Sequence, residues 1–68
     1  MANIKIKTEY IRLDALLKIA GKVATGGHAK VVIQNGEVKV NGEICTMRGK
    51  KLRPKDKVLF EGEEFMVE

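Results

Sequence analysis

Cations are concentrated in one short stretch, residues 48–57, which reads RGKKLRPKDK. Six of these residues are lysine or arginine, and Asp56 is the only acid. Such side chains bind phosphate oxygens, and each contact with a polyanion releases condensed counterions. The same side chains are also common in solvated surface loops that bind nothing. We term residues 48–57 the basic segment, and the rest of the sequence has to decide between these two interpretations.

Charge is distributed unevenly along the chain, which has 13 basic residues, 9 acidic residues and a net charge of +4. Residues 46–57 have a net charge of +5, because six cations accompany one acid. Residues 58–68 contain four glutamates and no base. A basic segment without interleaved acids favours polyanion binding over a salt-bridged surface. The charge polarity also leaves open a second hypothesis, a module that docks a protein partner.

A second candidate for anion binding is the stretch TGGHAK, residues 25–30, at the start of a predicted helix. Thr25 can cap this helix, and the free N–H groups of a helix start attract phosphate. Gly26 and Gly27 would let a ligand approach the backbone closely. The alternative is that Thr25 is an ordinary cap and that the glycines shape a turn. His28 could contact a base or a phosphate, but a single histidine on an exposed first turn is more often only solvated.

The reactive side chains do not form a catalytic or metal-binding pattern. His28 and Cys45 are the only histidine and cysteine, so the chain alone cannot assemble a zinc site or an internal disulfide. The two residues lie in different predicted elements, with no motif for an activated nucleophile. A phosphate-binding loop that ends in Gly-Lys-Ser or Gly-Lys-Thr is missing from the sequence. We therefore expect a non-catalytic protein without a cofactor.

The length of 68 residues allows one small domain, which we take as residues 1–68. The opening residues, MANIKIKTEY, contain no apolar stretch of signal-peptide length. The longest apolar run is far shorter than the ~20 residues that span a membrane. Together with the single cysteine, these features predict a cytoplasmic protein that does not bind a membrane.

Hydrophobic periodicity predicts two helices. In residues 12–21, RLDALLKIAG, apolar residues recur at helical spacing, and Gly21 provides a stop. In residues 25–36, TGGHAKVVIQNG, Ala29 and Ile33 share one face, and the final Asn-Gly pair tolerates the conformation of a helix end. The β-branched run in this segment also suits a strand, but the cap and the terminator favour a helix.

Alternating residues predict short strands on both sides of the helices. Residues 3–7, NIKIK, form the first strand, and residues 37–44, EVKVNGEI, form a hairpin closed by an Asn-Gly turn. The last two strands, KVLFEG and EFMVE, place Phe60 and Phe65 on their apolar faces, and Pro54 keeps the basic segment out of a regular ladder. The expected fold class is α+β, with two packed helices against a small antiparallel sheet of about four to five short strands.

Three stretches match a known pattern in order and spacing: RLDALL at residues 12–17, TGGHAKVVIQNGEVKVNG at residues 25–42, and KLRPKDKV at residues 51–58. Together they resemble the RNA-binding domain named after ribosomal protein S-four, also called the alpha-L RNA-binding motif. The whole chain is still more similar to the small stand-alone members, the YaaA/YbcJ type, which have an extra first strand and a basic loop after the hairpin. One departure is Gly26, where relatives often have an arginine, so the phosphate contact of that arginine is not carried over.

The resemblance implies an RNA-binding surface around the basic segment and the two helix starts. Lys39 is included because it faces away from the two valines beside it on its strand. Arg12 opens the first helix, where the dipole disfavours a cation, and it can pair with Glu9 or Asp14. The candidate RNA-binding residues are Arg12, Thr25, Gly27, His28, Lys30, Lys39, Asn41, Arg48, Lys50, Lys51 and Arg53.

The resemblance also implies partners. Small members of the family are associated with ribosome assembly or with stalled large subunits, so ribosomal RNA or ribosomal particles are the expected partners of a monomeric protein. Transfer RNA is the open alternative. Aromatic residues for stacking on bases are few, because Phe60 and Phe65 lie on the apolar strand face and Tyr10 is the only other one. This favours structured RNA that is recognised by its shape and backbone.

Overall fold

The computed structural model describes residues 2–68, which form two layers. Within these residues, two helices cover one face of a five-stranded sheet, and a two-stranded ladder adjoins the first helix. The helices are α1 (Leu13–Ile19) and α2 (Gly26–Gln34). The strands are β1 (Ala2–Ile4), β2 (Ile11–Arg12), β3 (Val38–Val40), β4 (Glu43–Ile44), β5 (Lys51–Leu52), β6 (Lys57–Phe60) and β7 (Glu63–Val67). The predicted α+β class is confirmed. Neither helix of the described chain is long and apolar enough to span a membrane.

Both helices end at glycines in the left-handed conformation, as predicted. Gly21 and Gly36 each have a φ of 76°. After α1, Lys22 N–H donates to the Leu17 carbonyl at 3.0 Å, and the equivalent bond closes α2. These bonds form Schellman motifs, which supply donors to carbonyls of the last turn that have no partner within the helix.

Two tight hairpins build most of the larger sheet, whose strand order is β1-β7-β6-β3-β4. Asn41 and Gly42 connect β3 to β4 with φ of 52° and 86°, as the Asn-Gly pair predicted. Glu61 and Gly62 connect β6 to β7 in the same way, with φ of 53° and 76°. Because two consecutive residues with positive φ match the twist of the flanking strands, each hairpin has a defined register.

The larger sheet is mixed, whereas the sequence predicted an antiparallel sheet. β1 runs parallel to β7, with Ile4 opposite Val67. The ladder continues beyond both strands, because Ile6 N–H donates to the Glu68 carbonyl at 3.0 Å. Parallel neighbours require a long connection, and here nearly the whole chain lies between the two strands. The parallel pairing of β1 with β7 therefore cannot be predicted from patterns confined to a few residues.

The strands β2 and β5 form a second, antiparallel sheet that the sequence did not predict. Ile11 lies opposite Leu52, and both side chains are buried. Arg12 lies opposite Lys51, and both side chains are exposed. Part of the basic segment is therefore a strand, and Pro54 follows the ladder instead of excluding it.

The core lies between the two helices and the inner face of the larger sheet. Its buried side chains from these elements are Leu13, Leu16, Leu17, Ala29, Val32, Ile33, Val38, Val40, Val58, Phe60, Phe65 and Val67. Burial of one such large side chain stabilises the fold by about 1.5–3 kcal/mol relative to exposure. Since no buried polar or charged side chain is found in residues 2–68, the cations are all left at the surface.

One ion pair connects the acidic end of the chain, residues 58–68, to the segment that follows α1. Lys22 Nζ lies 2.5 Å from Glu63 Oε1. The hydrogen bond to Glu63 raises the pKa of Lys22 above its usual value. Because the pKa is raised on folding, this stabilisation is complete below the usual lysine pKa and is lost as the pH rises through the raised value.

Replacing Thr25 with alanine should destabilise the protein by about 1 kcal/mol, because a first-turn N–H loses its acceptor. The predicted cap is confirmed, since Thr25 Oγ1 accepts a hydrogen bond from His28 N–H at 3.1 Å. Urea unfolding followed by circular dichroism measures the change. Thr25→Ser keeps the hydroxyl, serves as the matched control and should be nearly as stable as the wild type. An alanine variant with unchanged stability would contradict the contribution of the cap.

Candidate nucleic-acid interface

The backbone of the basic segment is bound to the start of α1. Leu13 N–H donates to the Lys50 carbonyl at 2.9 Å. Asp14 N–H donates to the Arg48 carbonyl at 3.1 Å. The first N–H groups of a helix have no partner within it, and α1 has no side-chain cap at Arg12, so these two carbonyls supply the missing acceptors. The side chains of Arg48 and Lys50 are exposed and remain available for a ligand.

Arg12 packs over the turn of the basic segment. One of its terminal nitrogens lies 3.3 Å from Asp14 Oδ2, which was one of the two partners that the sequence allowed. The same nitrogen lies 3.6 Å from the position that a Cβ would occupy on Gly49. The Arg12 side chain is 54% exposed. Its guanidinium is therefore oriented by the protein and still has donors free for an anion.

The ladder of β2 and β5 places three of the candidate cations on one side. Arg12 and Lys51 lie opposite each other and are exposed. Arg53 is also exposed, on the far side of the buried Leu52, and alternation along an extended chain places it on the same side as Lys51. Arg48 and Lys50 are also exposed, in the turn whose carbonyls bind the start of α1. We term the five candidate residues of the ladder and this adjoining turn the cationic face: Arg12, Arg48, Lys50, Lys51 and Arg53.

Asp56, the one acid of the basic segment, stabilises the turn that follows β5. Its Oδ2 accepts from Arg53 N–H at 2.8 Å, and its own N–H donates to the Arg53 carbonyl at 2.9 Å. Its Oδ1 accepts from Asn41 Nδ2 at 3.2 Å. Asn41 Oδ1 in turn accepts from Lys57 N–H at 2.9 Å. Asp56 thus joins the basic segment to the β3–β4 hairpin. Because the Asn41 amide is engaged within the protein, its contact with RNA stays a prediction.

The start of α2 is a separate group of candidate residues. Thr25 accepts the capping bond, whereas the N–H groups of Gly26 and Gly27 find no acceptor among residues 2–68. His28 and Lys30 are exposed. No hydrogen bond or ion pair of the described chain joins this helix start to the basic segment. The role of this group in RNA binding stays a prediction.

Lys39 lies on the outer face of the larger sheet, as its alternation with two buried valines predicted. Its neighbours across the ladder are Ile44 on β4 and Leu59 on β6. Lys39 therefore belongs to a different sheet from the cationic face. Its contact with RNA also stays a prediction.

Cys45 is a partly buried thiol that packs against the core. Its Sγ lies 3.7 Å from the Met47 carbonyl oxygen. In the part of the chain that the structure describes, no three His, Cys, Asp or Glu side chains lie close enough together to hold a metal ion. Cys45 contributes a small side chain to the packing around the core.

Comparison with known proteins identifies the family. The family model described as S4 domain matches residues 4–68. The chain belongs to the S4 domain family. This S4 domain is 46% identical over 63 residues to RlbA of Bacillus subtilis (strain 168), a protein named for ribosome maturation, and the match covers 91% of this chain and 89% of RlbA. It is 34% identical over 61 residues to YbcJ of Escherichia coli (strain K12), a protein named for RNA binding, and that match covers 90% of this chain and 87% of YbcJ.

A solved structure has the same fold as this S4 domain. The solution structure of YbcJ from E. coli, described as an alpha-L motif involved in RNA-binding, matches with a TM-score of 0.74 at 34% identity. The match covers 98% of this chain and 86% of that chain. The resemblance seen in the sequence is therefore confirmed, and this chain has the alpha-L RNA-binding fold.

Sequence reasoning missed Gly49 and Tyr10 as members of this site. Tyr10 lies beside the cationic face, with its ring centroid 5.0 Å from Lys51 Nζ. The available signal was the spacing of Tyr10 and Arg12, which are separated by one apolar residue, as on one side of a strand. Gly49 has no side chain, so only the path of Arg12 over its backbone reveals its contribution.

Replacing Asp56 with alanine should destabilise this S4 domain by about 2 kcal/mol, because two donors lose a charged acceptor. Urea unfolding measures the global change, and hydrogen exchange at the Arg53 amide reports the turn directly. Asp56→Asn is the matched control: it keeps an acceptor for Arg53 N–H and should lose less stability. If Asp56→Ala unfolds at the wild-type urea concentration and keeps the Arg53 amide protected, the carboxylate does not hold the turn.

Proposed function

We propose that this S4 domain is a non-catalytic cytoplasmic protein that binds structured ribosomal RNA through its cationic face and acts in ribosome assembly. The observation that carries the proposal is the separation of backbone and side-chain roles in the basic segment. The carbonyls of Arg48 and Lys50 bind α1, while their side chains are exposed. Because the backbone beneath these cations is already ordered, little conformational entropy is lost there when a polyanion binds.

The burial of the aromatic residues supports structured RNA as the ligand. Phe60 and Phe65 are only 3% and 2% exposed, so neither can stack on a base. Sheets that bind single strands present several such rings to the ligand. Contacts with phosphates must then supply most of the binding free energy. A folded RNA, whose phosphates have fixed positions, suits a cationic face that is itself fixed.

The ribosomal part of the proposal is supported by the relatives. RlbA is named for ribosome maturation, and YbcJ is named for RNA binding. Both matches cover about nine-tenths of this chain, at 91% and 90%, so the similarity extends over the basic segment and both helices. We propose that the protein acts as a monomer on ribosomal RNA or on ribosomal particles. Transfer RNA is the other ligand that the same phosphate chemistry would accept.

A role in docking a protein partner through charge polarity is less well supported. Glu63 is paired with Lys22. The Glu68 carboxylate accepts a hydrogen bond from Asn3 Nδ2 at 2.7 Å. Half of the four acids at this end of the chain are therefore engaged within the protein, which lowers the negative charge that is available to a partner.

Crosslinking of the tagged protein to RNA in its own cells, followed by sequencing, identifies the bound RNA. We expect a few helices of ribosomal RNA to be enriched. Enrichment of transfer RNA would replace the ribosomal target while keeping the RNA-binding function. Recovery of the same background from the wild type and from the variant described next would contradict RNA binding by the cationic face.

Replacing Arg48, Lys50, Lys51 and Arg53 with glutamine should weaken RNA binding across sequences and leave the fold intact. The slope of log affinity against log salt should flatten by about 0.7 to 0.9 for each phosphate that the variant no longer neutralises. Filter binding at several salt concentrations measures the slope, and circular dichroism verifies the fold. The matched control replaces Lys5, Lys7, Lys18 and Lys22 with glutamine, so both variants have the same formal net charge. An equal decrease of affinity in the two variants would mean that net charge, not the cationic face, binds RNA.

A further inference from the structure

Tyr10 differs from the other two aromatic residues of the chain in being at the surface. It is 37% exposed, whereas both phenylalanines are buried in the core. Its backbone is held in place, because Thr8 Oγ1 donates to the Tyr10 carbonyl at 2.7 Å. Tyr10 is therefore the one aromatic side chain of residues 2–68 with surface open to a ligand.

The β2–β5 ladder places cations on the same side as the Tyr10 ring. Ile11 lies opposite Leu52, and continuing this antiparallel register by one residue places Arg53 opposite Tyr10. Residues on either side of the buried Ile11 point away from the core, which puts Tyr10 and Arg12 on the same side of β2. Lys51 lies over the ring, with Nζ 5.0 Å from the centroid.

This combination of groups has a specific ligand chemistry. A nucleotide joins a planar aromatic base to a phosphate through a sugar, so an aromatic ring with cations beside it is complementary to a nucleotide in both shape and charge. Bases inside an RNA duplex are stacked on their neighbours and cannot offer a face to the protein. An unpaired base in a loop or bulge can be splayed out and stacked on an aromatic side chain.

We propose that Tyr10 stacks on an unpaired base of the bound RNA while Arg12, Lys51 and Arg53 bind the phosphates that flank it. This inference rests on the proposed RNA-binding function and adds selectivity for RNA with an unpaired nucleotide. The cationic face alone would bind any RNA of suitable shape, whereas Tyr10 directs it to a site where a helix is interrupted by an unpaired nucleotide.

The chain contains its own probe for this contact. Tyr10 is the only tyrosine, and the sequence has no tryptophan, so tyrosine fluorescence reports this one ring. The wild-type protein is titrated with an unlabelled RNA hairpin that has one bulged nucleotide. Two control hairpins have the same stem, one without the bulge and one with an abasic residue in its place. We expect quenching, corrected for RNA absorbance, with the bulged hairpin and much weaker quenching with both controls.

Affinity provides the second readout, measured by fluorescence anisotropy with fluorescein-labelled versions of the same hairpins. Tyr10→Leu should weaken binding of the bulged hairpin roughly tenfold, and Tyr10→Phe, which keeps a ring, should stay within about twofold of the wild type. The decrease for Tyr10→Leu should be much smaller with the fully paired hairpin, which offers no unpaired base to the ring. The quenching experiment needs no variant and so decides the question even if Tyr10→Leu folds poorly.

The outcomes separate this inference from the proposed function. Equal quenching by the bulged and abasic hairpins, or binding without quenching, would overturn the stacking role and leave RNA binding by the cationic face in place. Equal affinity of Tyr10→Leu and the wild type for the bulged hairpin would do the same. If no hairpin, bulged or paired, raises the anisotropy at low salt, the proposed function fails and the inference fails with it.

Discussion

The first N–H groups of α1 have no acceptor within the helix, and the need to supply one is the constraint on which the rest of the structure depends. A buried N–H without an acceptor destabilises a protein by about 1–3 kcal/mol, and Leu13, which carries one of these groups, is fully buried. The chain supplies acceptors from far along its length, the carbonyls of Arg48 and Lys50. These bonds align β5 with β2 and bring Lys51 opposite Arg12. A requirement of helix formation therefore determines the geometry of the cationic face.

A second consequence is that stability and ligand binding rest on different atoms. The core between the helices and the larger sheet contains apolar side chains, and the basic segment is held by its carbonyls and by Asp56. The cationic side chains contribute little to either, since exposed ion pairs are worth about 0–1 kcal/mol. The surface that meets a ligand can therefore change its charge without loss of the fold. This arrangement suits a domain whose proposed role is to position RNA.

Much of the fold was predictable because its signals are local. The glycine stops of both helices, the Thr25 cap and the Asn41-Gly42 turn each involve residues within a few positions of one another. The candidate site was predictable only in part. Its cations were identified from their density in the sequence, and the resemblance to the S4 domain family added Arg12. The parallel pairing of β1, the β2–β5 ladder and the position of Tyr10 beside Lys51 were not predictable, because each joins segments that are distant in the chain.

The sequence by itself determined where both helices end, where α2 begins and where the β3–β4 hairpin turns, since hydrogen bonds within a turn depend on adjacent residue types. It also determined the family, through motifs that lie in a fixed order. Only the tertiary structure placed Arg12 beside Lys51 and put Lys39 on a different sheet. The physical reason is that the first N–H groups of a helix can donate to any carbonyl that reaches them, whatever side chain that residue has. The path of the chain, and not a residue pattern, therefore determines that the carbonyls of Arg48 and Lys50 are the acceptors.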